Sequence, residues 1–285
     1  RSLRPLFPQG FLNEVQIITT VLSNDKKHDV VIPAFTAAAA ALAISDIPFN
    51  GPVSAVRIGY IDEKLVLNPS IKELENSKMD LLVCTGPAGV NMIECDANIL
   101  PNDIVLKGIE LAKNTADDIN KEIADWAKEF GKAKMKYESA GPSTELIKEI
   151  ESKINADVQG FLEAGVDGSH MIGQEKIVDQ ILETYEAKIK SEEVSKNHVI
   201  SAVDSIINKY VRENTLKGAR YDKRQMDEIR PLTIEAGVLP CVHGSAFFQR
   251  GLTQAVTVTT LAPLADKQYL EDSSGETTKR YIHYY

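Results

Sequence analysis

Apolar residues recur along this chain with changing rhythm, and the rhythm divides it into three blocks. Over residues 1–102 the runs are short and β-branched. Val15 to Leu22 (VQIITTVL) predicts a buried strand. Asp29 to Ile44 contains an alanine-rich stretch, which predicts a helix lying close against a neighbour, since alanine favours helix and permits near approach. Val53 to Tyr60 and Lys64 to Leu67 flank Asp62-Glu63 and predict a hairpin with a two-residue turn. Asp80 to Thr85 and Val90 to Asp96 flank Gly86-Pro87-Ala88-Gly89 and predict a second hairpin.

Over residues 103–215 the spacing becomes helical. Val105, Ile109, Ala112, Ala116, Ile119, Ile123, Trp126 and Phe130 alternate by four and three, which puts them on one stripe of one helix, with Asp103 as its expected N-cap. Further stripes are Ile147, Ile150, Ile154, Val158 and Phe161; then Val178, Ile181, Tyr185 and Ile189; then Val199, Val203, Ile206 and Tyr210. Such stripes cannot be hidden singly, so the four helices are expected to bundle. The expected breaks are Gly141-Pro142, Gly165 to Gly173 and Ser191 to Ser195. Over residues 216–285 strand chemistry returns: Gln254 to Leu261 alternates apolar and polar, and Lys279 to Tyr285 (KRYIHYY) predicts a strand ending before any turn. Strand-rich text without a closing partner leaves edges unpaired, so a truncated domain is expected.

Composition narrows the function classes. No run approaches the ~18 apolar residues of a membrane span, and Phe35 to Ile44 is both short and flanked by Asp29 and Asp46. The three cysteines form no CxxC pair, which suits a reduced, cytoplasmic protein. A net charge of −9 argues against indiscriminate nucleic-acid binding. It leaves room for a local basic surface, and Lys217 to Arg230 carries five basic residues against three acidic ones.

Candidate chemistry is sparse. His28, His170, His198, His243 and His283 are scattered and do not pair at zinc-ligand spacing. Gly86 to Gly89 could cradle a phosphate, but strand text rather than a helix follows it, so a plain turn is expected. Ser245 lies two residues from His243 with no third partner for a nucleophile. The better candidates are Arg1, Arg4, Arg224, Arg230 and Arg250, which sit among Pro, Gly and aromatics. The guanidinium fork suits phosphate oxygens, and it equally suits structural ion pairs at strand starts; the residues leave both open. Phe247 and Phe248 could stack on bases, but neighbouring strand positions face opposite sides.

Four segments in order carry a resemblance to a known family. They are Arg1 to Phe11 (RSLRPLFPQGF), Ile47 to Leu67 (IPFNGPVSAVRIGYIDEKLVL) with Asn68-Pro69 after it, Asp222 to Val256 (DKRQMDEIRPLTIEAGVLPCVHGSAFFQRGLTQAV), and Glu276 to Tyr285. Together they resemble polynucleotide phosphorylase. The resemblance implies an α+β chain: the later part of a first RNase PH-like domain (residues 1–102), an all-helical domain (103–215), and the opening strands of a second RNase PH-like domain (216–285). It implies phosphate-dependent 3′-to-5′ degradation of single-stranded RNA to nucleoside diphosphates, reversible as polymerisation. A ring-shaped homotrimer, Mg2+ and inorganic phosphate are part of the same expectation.

By the same resemblance the catalytic and metal-binding residues lie beyond Tyr285, so the chain is expected to be inactive alone. The first domain is expected to be degenerate. Val31 to Thr36 stands where an active copy has a Gly-Gly-Thr-Arg phosphate loop, and Met79 stands where it has a metal-binding Asp, one residue before Asp80. Two departures are Cys241 in place of an Arg-like residue and Lys223 in place of the Gly of an Asp-Gly-Arg. Arg224 still matches, and carries an expected role near RNA or phosphate. The alternative is a structural, RNA-guiding scaffold, with a second chain holding the catalytic half.

Overall fold

The computed structural model describes residues 1–164, 170–272 and 275–285. It divides into two compact units, Arg1–Ala140 with Lys267–Tyr285, and Gly141–Asp266.

The first unit is built on a four-stranded antiparallel sheet, order β2-β1-β3-β4, from β1 (Ser54–Ile61), β2 (Lys64–Leu67), β3 (Met79–Gly86) and β4 (Gly89–Ala97). Both expected hairpins form. Asp62 and Glu63 hold φ of 47° and 60°, the left-handed pair that lets a two-residue turn match strand twist. Helix α1 (Val31–Ile44) packs Ala39 against Ala55, Val53 and Cys84, and the small side chains permit that approach. A short helix α2 (Ile71–Glu75) opens on a capping box between Ser70 and Glu73.

Helix α3 (Asn102–Phe130) lies on the sheet. Its Ala112 and Ala116 are fully buried against Val56, Ile58, Met79, Leu81 and Val83, with Val105, Ile109 and Ile119 alongside. The expected bundling of this helix with the other three is therefore corrected. Two small residues at the centre of its stripe suit a flat sheet surface better than a ridged helix. Its N-cap is Pro101; Asp103 sits inside the first turn, where a carboxylate still complements the helix dipole.

Two strand expectations are also corrected. Residues 15–22 form no strand, and Ile18 and Leu22 are exposed, because no neighbouring strand meets them among the described residues. Near the C-terminus the strands are β8 (Gln268–Asp272) and β9 (Gly275–Lys279), paired with each other, while residues 280–285 have no strand partner and are exposed.

The second unit holds α4 (Thr144–Ala164), α5 (His170–Thr184), the short α6 (Glu186–Lys190) and α7 (Lys196–Leu216). Their shared core includes Ile150, Ile154, Val158, Ile181, Tyr185, Val199, Val203 and Ile206. Most of the expected stripe residues are there, with Ile147 and Phe161 at its margin and Leu146 and Leu162 inside. The break expected at Gly165 to Gly173 lies partly outside the described residues. The unit also contains an antiparallel sheet of β5 (Leu232–Ala236), β6 (Gly244–Arg250) and β7 (Thr253–Thr259).

Candidate phosphate and nucleic-acid contacts

The five arginines singled out from sequence fall in both units, and they do not converge on one site within either. In the first unit Arg1 reaches strand β4, where its Nη1 donates to Glu94 Oε1 at 2.5 Å, an exposed ion pair. Arg4 opens a 3-10 turn (Arg4–Leu6) and is exposed.

In the second unit Arg224 is committed to structure. Its Nε and Nη2 both donate to Asp222 Oδ2, at 2.9 and 2.6 Å, and its Nη1 donates to the Glu228 carbonyl at 2.9 Å. Arg220, which sequence reasoning passed over, completes the knot by donating to the carbonyls of Gln225 and Glu228, both at 3.2 Å. Burial pushes the Asp222 carboxyl up, but the Arg224 hydrogen bonds and the two guanidinium charges outweigh it and hold it below its ordinary value. Lys223, between the two, has φ of 59°, the backbone region that a Gly would occupy without strain. Arg230 and Arg250 share one corner of the β5-β6-β7 sheet. Leu232 pairs with Arg250, the Gly251 N–H donates to the Pro231 carbonyl at 2.9 Å, and the Arg230 stem lies over Gly251. Both guanidinium groups belong to exposed residues.

Ser245 and His243 do not form a dyad. The Ser245 hydroxyl accepts from the Leu239 N–H at 2.9 Å, and His243 Nδ1 accepts from the Leu261 N–H at 2.8 Å. Phe247 and Phe248 point to opposite faces of β6, as strand alternation requires.

The best-formed polar constellation is one that sequence reasoning approached only from one side. Arg57, on β1, donates from Nε to Asp80 Oδ1 at 2.7 Å and from Nη2 to Asp80 Oδ2 at 2.6 Å, a two-pronged pair with the diagonal position on β3. Its Nη1 donates to Asp29 Oδ2. The Asp29 Oδ1 in turn accepts from the Val31 N–H at 3.0 Å, at the start of α1. Hydrogen bonding to Asp80 raises the Arg57 pKa further, against the opposing effect of burial. Asp29 and Arg57 border a pocket of about 140 Å3 lined also by His28, Ile32, Pro33, Asn68 and Pro69. Beside it, the backbone N–H groups of His28 and Lys27 hold the Asp25 carboxyl well below the usual carboxylate range.

This geometry explains what the pocket can and cannot do. A carboxylate already occupies the α1 N-terminus, the place where free N–H groups would greet an anion. The guanidinium beside it is saturated by two carboxylates. Asp80 is held at both oxygens and Met79 is buried in the hydrophobic core, so the residues present do not fit a magnesium site. Among the described residues no three His, Cys, Asp or Glu side chains converge as a metal-binding group.

Comparison with known proteins fits this frame. Residues 51–115 match the sequence model of the 3′ exoribonuclease family, domain 2, an RNase PH domain. The match covers all four strands of the first sheet and ends within α3. The chain is 37% identical to the polyribonucleotide nucleotidyltransferase of Natranaerobius thermophilus, 38% identical to that of Halothermothrix orenii and 39% identical to that of Chloroflexus aggregans, in each case over 100% of this chain. Along its whole length this chain is similar to polyribonucleotide nucleotidyltransferase. It spans 41%, 42% and 38% of the length of those three relatives. The crystal structure of rice (Oryza sativa) Rrp46 overlaps 36% of this chain and 47% of its own at 16% identity, with a TM-score of 0.30, too low to add to the assignment. Within the matched domain, Arg57 is bound to both Asp29 and Asp80 beside the pocket.

Proposed function

We propose that this chain is part of a phosphorolytic 3′-to-5′ exoribonuclease, and that it contributes structure and RNA guidance while the bond-breaking groups lie elsewhere in the whole protein. The end-to-end likeness to polyribonucleotide nucleotidyltransferase carries the reading. In the proposed reaction inorganic phosphate attacks the terminal phosphodiester of single-stranded RNA and releases a nucleoside diphosphate, with polymerisation as its reverse. Charge on the transferring group requires cationic donors and a metal such as Mg2+. The arginine and carboxylates of the first domain are spent on one another, which supports placing that chemistry outside this chain.

The finer architecture belongs to the same proposal. Helices α4 to α7 would serve as the all-helical domain, and the chain after residue 216 would open a second RNase PH-like domain, in a homotrimer. Three free cysteines suit a cytoplasmic protein, and among the described residues no helix is long and apolar enough to cross a membrane. The exposed Arg230 and Arg250, with Arg1 and Arg4, are the proposed RNA- or phosphate-proximal groups. Arg224, bound to Asp222 and the Glu228 carbonyl, would hold the loop that precedes Arg230.

The test uses poly(A), Mg2+ and phosphate. The whole protein is expected to release adenosine diphosphate only when phosphate is present; release of monophosphate without it would mean a hydrolytic nuclease and overturn the reading. Should a second polypeptide that restores diphosphate release co-purify with this chain, the scaffold of a two-chain enzyme is the correct form.

A further inference from the structure

Outside the pocket and the arginines, one feature of the first unit is unaccounted for. The stripe of α3 outruns its sheet. Ala112, Ala116 and Ile123 are buried, but the last two members, Trp126 and Phe130, are 56% and 60% exposed. They stand one turn apart and meet edge to face, ring centroids 6.1 Å apart. An edge-to-face pair leaves ring faces open.

The chain on the C-terminal side of the pair is basic, in a protein that is acidic overall and whose helix α3 is acidic on the other side, with Asp117, Asp118, Glu122 and Asp125. From Trp126 to Lys136 it carries Lys128, Lys132, Lys134 and Lys136 against a single acid, Glu129. Lys128 pairs with Asp125 at 2.7 Å. Lys134 donates to the carbonyls of Leu42, Ala43 and Ser45 at 3.0, 3.0 and 2.7 Å, capping the end of α1. That cap, with the Lys132 N–H on the Ile44 carbonyl and the Met135 N–H on the Asp46 carbonyl at 2.9 and 2.7 Å, fixes the backbone that carries Lys132 and Lys136. Both of those lysines are exposed.

We propose that Trp126 and Phe130 form a stacking platform for bases of single-stranded RNA, with Lys132 and Lys136 as its phosphate contacts. The inference rests on the exoribonuclease reading for its choice of ligand. Size and charge favour RNA over a docked protein. Two rings of roughly 150–250 Å2 each, a little over half exposed, offer about 250 Å2, whereas a standard protein interface needs about 800 Å2 per partner. The patch matches one or two bases, and a flanking pair of cations is what a base-stacking, backbone-tracking surface requires.

Trp126 is the only tryptophan in the chain, so its fluorescence reads this site alone. Titration of residues 1–285 with a fluorescein-free oligo(A) is expected to quench it saturably, at the concentration where a separate anisotropy assay detects binding. Phe130→Leu should weaken binding about tenfold, the order of one lost stacking contact. Lys132→Gln with Lys136→Gln should weaken it and flatten its salt dependence. Binding seen by anisotropy with silent Trp126 overturns the platform and leaves the exoribonuclease reading intact. No binding at all overturns it as well. Equal quenching by polyglutamate would mean a docking site for acidic protein segments and would likewise sink it. Phosphorolysis by the whole protein is scored separately, so the two readings fail independently.

Discussion

Arg57 shows how much one residue can decide. It is 23% exposed and bridges two carboxylates that would otherwise face each other across β1, β3 and the start of α1. Arg57→Ala is expected to destabilise the chain by about 2 kcal/mol, less than a fully buried pair because the group is partly solvated. Urea unfolding checks this, and an unchanged midpoint would show that Asp29 and Asp80 are content with water. Arg224 makes a similar prediction with a pH signature. The Asp222 carboxyl binds its proton less readily when folded than when unfolded, so its contribution is full above the ordinary value of 3.8 and is lost as pH falls through the folded value. Stability measured from about pH 6 to about pH 3 should decline less steeply in Arg224→Gln than in the parent chain, and that variant should lose about 2 kcal/mol at neutral pH. A parallel decline in both proteins would remove the linkage assigned to Asp222. Sequence alone left Arg224 balanced between phosphate contact and ion pair, and did not single out Arg57. The balance could not be struck without knowing which carboxylates lay within reach.

Among the elements, α3 is the most instructive. Its length and stripe were legible, because a helical period survives any tertiary arrangement. Its neighbour was not, because a stripe states which side is apolar without stating whether a sheet or a helix covers it. The sheet contact makes Gly108 critical: a Cβ there would meet Leu81 Cδ2 at 2.9 Å and Met79 Cε at 3.1 Å, both on buried side chains. Gly108→Val is expected to cost about 2 kcal/mol through overpacking, read as a lower unfolding midpoint; a gain in stability would mean that helix propensity outweighs the clash. Residues 15–22 teach the reverse lesson. Their β-branched, apolar text is that of a strand, yet strand structure requires a second strand to satisfy its backbone, and none meets it among the described residues.

At the scale of the whole molecule, the proposal that this chain lacks the reacting groups has a direct consequence. Residues 1–285 alone, given poly(A), Mg2+ and phosphate, are expected to show no diphosphate release above background, and clear turnover would place catalytic groups within it. The ordered motif segments made the polyribonucleotide nucleotidyltransferase likeness visible in the sequence, and the relatives bear it out over the entire chain.

The sequence by itself determined the hairpins around Asp62-Glu63 and Gly86 to Gly89, the helices other than the short α2 and α6, the alanine-lined contact of α1 and the family likeness. Each of these depends on local backbone chemistry or on residue order. Only the tertiary structure decided that α3 lies on the sheet, that Arg57, Asp29 and Asp80 neutralise one another, that Arg224 locks a loop, and that Trp126 and Phe130 stand uncovered. Those outcomes depend on which distant side chains meet, and pairing and burial are properties of the folded arrangement that no spacing along the chain encodes.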